Sequence, residues 1–597
     1  MMNEEPKSFW KKSWKGPRAF LFWLLIVSLA ALLVAVLIAA VTAVRTTLFD
    51  RHSGLKDFAG YTLFVMFWFI VAVALAFVFY GIIRWLCCWR NFKRFLYGLA
   101  GFIALMALFY AEEDWRGWHA WQNFKRDAET CGIRFDRASV VPPPVPADRN
   151  FALTPLVFTS YGQMLTRDGK MIPAGERATN FVNRMDLNIA GNDSSLDWRT
   201  NGTGNWQKAE AANLAAWQTY YRALGAKTNL FPIAPQPQTP AQDVLLALSK
   251  YDSTIEELCQ DGQLPDSRFP LEYDKDDPWA MLLPHLAVMK RCAQVLQLRA
   301  LAELQNGESD LALADIKLLL RLTDSIRTEP VLISHLVRIA MVNLALQPVW
   351  EGLAEHRWSD GQLAELDREL AGLDFLSDYK LAMRGEMVLG QVGMFDYLRH
   401  HPGKLQSLFS EGDSSSPAPV FTLIRLIPNG WFYQNQIHCA RPMVEFYLPA
   451  AEATREIFSP TAIHQADTAI TAECKRLTPY NFLERLLLPA LGNAAKKFAQ
   501  GQNAVNMARA AIALERYRLA HGVYPETLAV LAPQFIAKLP HDIINGQPLH
   551  YRRTPEGHFI LYSVGWNETD DGGEVAFNKE GAVDINNGDW VWRYPQK

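Results

Sequence analysis

Asp396 and His400 stand four residues apart within Phe395–Pro402, a spacing that puts a carboxylate and an imidazole on one face of a helix, where the pair could move a proton. His438 and Cys439 are adjacent and bring together the two groups that cysteine nucleophiles use. Neither pair has the third group or the motif context that nucleophilic or metal chemistry requires. Ordinary surface and core roles are expected for all four, and no catalytic residue is assigned. Asp274, Asp276 and Asp277 carry the oxygen ligands that calcium takes, but helix capping before Pro278 and solvation account for them.

Of the 597 residues 50% are apolar and 20% charged, with a net charge of −3. That composition describes a folded chain without the basic excess of a nucleic-acid binder, so no nucleic-acid partner is expected. Of the seven cysteines Cys87 and Cys88 are adjacent at the expected inner membrane face, and Cys131, Cys259, Cys292, Cys439 and Cys474 are widely spaced, with no Cys-x-x-Cys pair, so they make neither a disulfide framework nor a zinc motif.

Three uncharged apolar stretches precede residue 112: Ala19–Val44, Phe58–Ile83 and the shorter Phe95–Ala111. A bilayer core takes about 20 helical residues, with a lower limit near about 17, so three N-terminal transmembrane helices are expected over residues 19–111. Lys7, Lys11, Lys12, Lys15 and Arg18 precede the first span, and Arg84, Arg90, Lys93 and Arg94 fill the second connection. Basic residues concentrate in short cytoplasmic loops, which predicts residues 1–18 inside and everything after residue 111 outside. Trp115, Trp118 and Trp121 are read as one aromatic face at headgroup depth.

Residues 112–150 read as a juxtamembrane segment ending in a stiff polyproline spacer, Pro142–Pro146. The region to about residue 275 is polar and rich in Gly, Asn and Asp, and is expected to hold loops and a few helices. A helix is expected from Asp277-Pro278-Trp279 to Asn306, stopped by Gly307, with a partner whose apolar face is Leu311, Ala314, Leu318, Leu319 and Leu322. After Glu329-Pro330, the positions Leu332, Leu336, Ile339, Val342 and Leu346 mark a third helix. Residues 151–475 are thus expected to form an irregular, mostly α-helical extracytoplasmic domain, interrupted by a loop around Glu411–Pro419.

The last segment, residues 476–597, reads as an α+β module. Ala490–Ala520 makes a long amphipathic helix ended by His521-Gly522. A short helix follows at Tyr524–Leu528, then a hairpin from Leu549–Arg553 and His558–Val564, a polar loop, and a final strand at Asp589–Tyr594. The expected fold class is mainly α: three membrane helices, a helical domain, and a long helix laid on a small antiparallel sheet.

Ala513–Arg518, Gly522–Pro525, Asn545–Pro548, Tyr562–Gly565 and Asp570–Gly573 together resemble the globular part of the major pseudopilins of type II secretion systems. The resemblance covers about residues 481–597. It implies the fold and a secretion-linked ancestry, and not pilus assembly, because the segment Asn481–Glu484 that would match the prepilin-peptidase site is internal and degenerate. It further implies a calcium ion in the loop before the last strand, held by Asp570, Asp571 and Asp584. The whole chain is also similar to a set of large bacterial multi-span membrane proteins that share the Pro142–Leu156 pattern and have no known activity.

The expected function is that of a non-enzymatic protein of the bacterial inner membrane, with its large C-terminal region extracytoplasmic. Its partners would be the lipid bilayer and other envelope or secretion proteins. The alternative is an envelope hydrolase with its site in the helical domain near Asp396, His400 or His438.

Overall fold

Helix ends follow the local capping chemistry in a computed structural model of the chain, which describes residues 88–158, 163–165, 171–173, 185, 202–275, 277, 280–401, 427–475, 478–481 and 491–595, with isolated positions between 70 and 85. Two compact units result, Met1–Ala111 and Glu112–Lys597, and helix α1, Trp89–Thr130, contributes to both. Of the expected membrane spans, Ala19–Val44 lies outside the described residues and Phe58–Ile83 is described only at isolated positions. Phe95–Ala111 falls inside α1.

In the second unit the described helices are α2 (Leu214–Thr228), α3 (Pro240–Leu248), α4 (Asp252–Asp261), α5 (Pro284–Asn306), α6 (Ser309–Asp324), α7 (Leu332–Ala354) and α8 (Asp360–Ala371). Next come α9 (Phe375–Gly385), which runs through a π-turn into α10 (Gly393–His400), then α11 (Asn429–Pro442), α12 (Pro460–Cys474) and α13 (Leu491–His521). Thr239 with Gln242 and Ser359 with Gln362 form capping boxes, and Asp374 and Ser459 cap α9 and α12, so orphan amides at these four starts have side-chain acceptors.

The expected start of α5 at Asp277 is seven residues early. Proline has no N–H and is tolerated in the first helical turn, whereas a helix beginning at Asp277 would bury Pro284 in its interior. Gly307, at φ 85°, ends the helix in the left-handed region as expected. The apolar face of α6 is also rotated from its expected setting. Leu311 and Ala314 are exposed, while Ala312, Leu313, Ile316, Leu319 and Leu322 are buried.

Two described helices, α1 and α7, are long and apolar enough to cross a membrane. The most apolar stretch of α7 is 61% buried inside the unit, packed on α5, α6 and α13, so α7 is a core helix. The described residues therefore support one exposed candidate span where three were expected. Trp115, Trp118 and Trp121 do not share a face: the first two are exposed and Trp121 is buried against Phe124 and Phe135. Each three-residue step turns a helix by about 300°, so six residues carry the ring a third of a turn away.

The small sheets are antiparallel, with β1 (His550–Arg553), β2 (Phe559–Ser563) and β5 (Trp590–Trp592) in the order β1-β2-β5, and β3 (Val575–Phe577) paired with β4 (Val583–Gly588). The β3–β4 hairpin occupies what reads as a polar loop in the sequence. Tyr524–Leu528 is not helical, and a 3-10 turn forms instead at Leu528–Leu531. The boundary expected at residues 475 and 476 falls within the second unit, because α13 packs against α7, α8 and α9 as well as β2 and β5. Fully buried Asp542 ties α13 to the sheet. Its carboxylate accepts the Ser563 hydroxyl at 2.9 Å and the Val564 amide at 3.0 Å, and Asn503 of α13 donates to Ser563 Oγ at 3.0 Å.

α1 and α11 approach at Gly117 and Gly430. A Cβ on Gly430 would lie 1.9 Å from the Glu113 carbonyl oxygen, and one on Gly117 would lie 2.3 Å from the Gly430 carbonyl oxygen. The absence of both side chains lets two backbones meet. Gly430→Ala is expected to lower stability by about 1–3 kcal/mol, read as a shifted urea midpoint, because the obstructing atoms are backbone. Gly361→Ala, where the added methyl group meets open space, should cause no loss.

Candidate functional site

The residue types that suggested chemistry are each engaged elsewhere. His400 Nδ1 lies 2.7 Å from the main-chain oxygen of Asp396, and the Asp396 carboxylate faces Arg399 at 3.5 Å, so the two side chains do not pair with each other. His438 Nδ1 is 2.9 Å from Glu473 Oε2 on α12. Cys439 points the other way, fully buried among Met394, Phe395, Leu398 and Phe432. Helices α10 and α11 are neighbours, yet they bring these four residues into no common site.

Asp570, Asp571 and Asp584 are also spent locally. Asp570 Oδ1 accepts the Gly572 amide at 2.9 Å and the Tyr562 hydroxyl at 3.1 Å, and Asp571 accepts from Asn567 at 2.9 Å. Asp584 sits on β4 and accepts from Asn586 and Asn587. A residue not singled out in the sequence, Asp589, organises the loop: it is 1% exposed and accepts the amides of Asp571 at 3.2 Å and Gly573 at 2.6 Å. The loop thus turns N–H groups toward its acidic side chains, whereas calcium needs carbonyl and carboxylate oxygens turned inward. Among the described residues no three His, Cys, Asp or Glu side chains are arranged to hold a metal ion. The implied calcium does not fit this arrangement.

Two buried polar clusters are structural on geometric grounds. Glu329 stands between Ser334, whose hydroxyl donates to Oε2, and His285, whose Nε2 is 2.8 Å from Oε1. Acyl transfer needs the histidine beside the hydroxyl, with the acid behind it. Here the acid is in the middle and all three groups are buried, so the cluster pins the turn between α6 and α7. The second cluster joins α5 to α6, where Arg299 contacts both Glu303 at 3.2 Å and Asp315 at 3.4 Å. Burial and the nearby Asp315 charge push Glu303 up to about 9, and burial raises Asp315. The single guanidinium offsets one of the two carboxylates, and the other keeps its proton.

A cavity of about 500 Å³ lies between α5, α7, α13 and the segment 203–207. Its outer wall is clamped from α7. Gln347 Oε1 accepts the Trp206 amide at 2.6 Å, Gln347 Nε2 donates to the Glu210 carbonyl at 3.0 Å, and Glu351 accepts the Ala212 amide at 2.8 Å. Gly204, at φ +81°, is required for this approach, since a Cβ would lie 2.2 Å from Gln347 Nε2. The Trp206 ring packs on Trp592 with centroids 5.1 Å apart, anchoring the wall to the final strand.

The floor is apolar, from Leu336, Ile339, Ala340 and Leu344, and Gln297, Asn343, Lys497 and Gln500 border it. Gln297 is 3% exposed and its Oε1 has no hydrogen-bond donor. Asn343 donates Nδ2 to the Ile339 carbonyl at 3.0 Å, which leaves its buried Oδ1 equally without a donor. Lys497 and Gln500 make no hydrogen bond or ion pair among the described residues. None of these four was singled out in the sequence. The available signal is an amide inside an apolar helical run, as in Val295–Leu298 and Met341–Leu346. A second cavity, of about 410 Å³, borders the C-terminal sheet and mixes Lys208, Arg552 and Arg593 with Glu556 and Glu574.

Compared with family models, curated proteins and solved structures, the chain gives no match in any of the three.

The Glu303 and Asp315 pair makes a pH prediction. A carboxyl raised in the folded state holds its proton after the unfolded chain has lost it, so stability falls as pH rises from about 4.5 toward about 9. Glu303→Gln removes that proton linkage while keeping an acceptor for Arg299. Its stability relative to the unchanged protein is expected to improve by more than about 1 kcal/mol between about pH 5 and about pH 8, measured by urea denaturation.

Proposed function

We propose that the protein is a non-enzymatic, membrane-anchored protein of the bacterial envelope that works by binding other proteins, in a secretion or surface-assembly system. The observation that carries the anchoring is the face of α1. Phe102, Ile103, Leu105 and Leu108 are each more than half exposed, on an uncharged stretch that extends from Phe95 to Ala111. Seventeen helical residues span about 26 Å, close to the hydrocarbon thickness of a bilayer. Water would not tolerate an apolar surface of that extent, whereas lipid would accept it.

With Ala19–Val44 and Phe58–Ile83 as the other spans, the basic residues before the first and after the second argue for a cytoplasmic N-terminus. Residues 112–597 then lie outside the cytoplasm. A binding role is supported by the cavity of about 500 Å³ between α5, α7 and α13, which Lys497 and Gln500 border without a hydrogen-bond partner among the described residues. The secretion link rests on the pseudopilin resemblance of the C-terminal segment, in keeping with its long helix on a three-stranded antiparallel sheet.

The test is crosslinking in living cells with photoreactive residues placed across 277–597, followed by identification of what is captured. Secretion or surface-assembly components are expected, and recovery of self-conjugates alone would overturn the partner role. In the same cells the full chain is expected to resist alkaline carbonate extraction, and a chain lacking residues 1–111 to become extractable.

A further inference from the structure

We propose that the cavity of about 410 Å³ on the C-terminal sheet binds the phosphomonoester group of a small molecule or lipid, held by Arg552, Arg593 and Lys208. The site is separate from the cavity between α5, α7 and α13 and does not depend on a protein partner.

Strand register sets the two arginines. Arg552 of β1 pairs with Ile560 of β2, and Leu561 pairs with Trp592 of β5, so the next step of the same register brings Arg593 across from Ile560. Side chains alternate along a strand, and Ser563 points toward Asn503 of α13, so Ile560 and the two arginines share the opposite face. Neighbouring strands lie about 4.8 Å apart, which sets the arginine backbones about 10 Å apart with an apolar residue between them. Two long side chains can grip one ligand group from either side at that separation. Lys208 borders the same cavity from the turn Trp206–Lys208, which is anchored by the Trp206 ring on Trp592. A Cβ on Gly573 would lie 3.3 Å from Ile560 Cγ2, so the missing side chain lets the acidic loop close on this row as a further wall.

The cations have no carboxylate of their own. Arg593 and Lys208 are part-buried, and their side chains make no hydrogen bond or ion pair among the described residues. The Arg552 guanidinium donates to the Gly572 carbonyl at 3.3 Å. On the rim, Glu556 is tied to its own amide and the Thr554 hydroxyl, and exposed Glu574 makes no ion pair among the described residues. Arg553, next along β1 and pointing to the other face, is by contrast paired with Glu526. The chain carries a net charge of −3, so three cations without carboxylates around one cavity are not a share of a general basic excess.

The number of donors selects the ligand group. One guanidinium fork satisfies a carboxylate, whereas a phosphomonoester brings close to two negative charges and three terminal oxygens, enough for two forks and an ammonium. The volume is that of a small-ligand site, and Ile560 and Pro595 offer apolar surface to the carbon skeleton that bears the phosphate.

The probe is glycerol 3-phosphate, titrated calorimetrically into the detergent-solubilised full chain beside glycerate and dihexanoylphosphatidic acid. Glycerol 3-phosphate is expected to bind at least about tenfold more tightly than glycerate, the scale of one added charge-assisted bond. Arg593→Gln should weaken it by about tenfold and Lys208→Gln by about fivefold, both with an unchanged melting temperature, because neither side chain is bonded within the fold. Arg553→Gln, outside the cavity, should leave the affinity as it is. Tighter binding of dihexanoylphosphatidic acid than of glycerol 3-phosphate would assign the group to a lipid headgroup, and equal or weaker binding to a soluble ester. Glycerate bound as tightly as the phosphate, an affinity indifferent to Arg593→Gln and Lys208→Gln, or no binding by the folded chain would overturn the proposal. Capture of proteins in cells bears on the partner role alone.

Discussion

Helix α13 has almost no face it can give to water, and the second unit is arranged around that fact. Over 31 residues it buries Ala494, Ala495, Ala499, Ala504, Ala508, Ala510, Ala511 and Ala513, with Phe498, Met507, Ile512 and Leu514 among them. Small side chains let three helices and a sheet approach one axis, and each buried large residue adds about 1.5–3 kcal/mol. The cationic heads on α13 are met at its borders: Arg509 by Asp367, Arg516 by Asp360, and Arg518 by Glu515. Burial pushes Glu515 up, but bonds from Arg518, His356 and Tyr524 outweigh it and hold the carboxyl at about 2. The helix is thereby fixed in rotation as well as in place.

That fixed rotation is what creates the cavity. Lys497 and Gln500 border the cavity while Lys496, one residue away, turns to Trp566 and Asn586. On the other side, α7 uses Gln347 and Glu351, one helical turn apart, to hold the 203–212 segment, so the wall and the floor share one helix. A shift of α7 would move floor and wall together. Gln297 and Asn343 are carried by helices α5 and α7, where packing encloses their unpaired amide oxygens.

The acidic loop near the C-terminus shows the opposite economy. Asp589 gathers two backbone amides that a turn of this shape leaves pointing inward, and Asp570 closes its own turn on Gly572. Carboxylates clustered in sequence are thus consumed by the backbone they stabilise. The same holds for Asp396 and His400, which share a helix face as their spacing requires but meet main-chain and arginine partners first.

Periodicity and punctuation determined a good part of this protein. The apolar stretch Phe95–Ala111, the stop at Gly307, the long helix to His521, the hairpin around Thr554–Gly557 and the existence of a final strand are all local, set by residue period and by turn or capping chemistry. Elements fail to be legible where a second residue competes, as Pro284 does with Asp277, or where polar residues form a strand pair, as in β3 and β4. The site was hardest to read, because Gln297, Asn343, Lys497 and Gln500 come from three helices up to 203 positions apart in the chain. Which amide goes unpaired, which lysine is left free and which aspartates are spent depend on what packing brings within about 3 Å, and only the tertiary structure decides that.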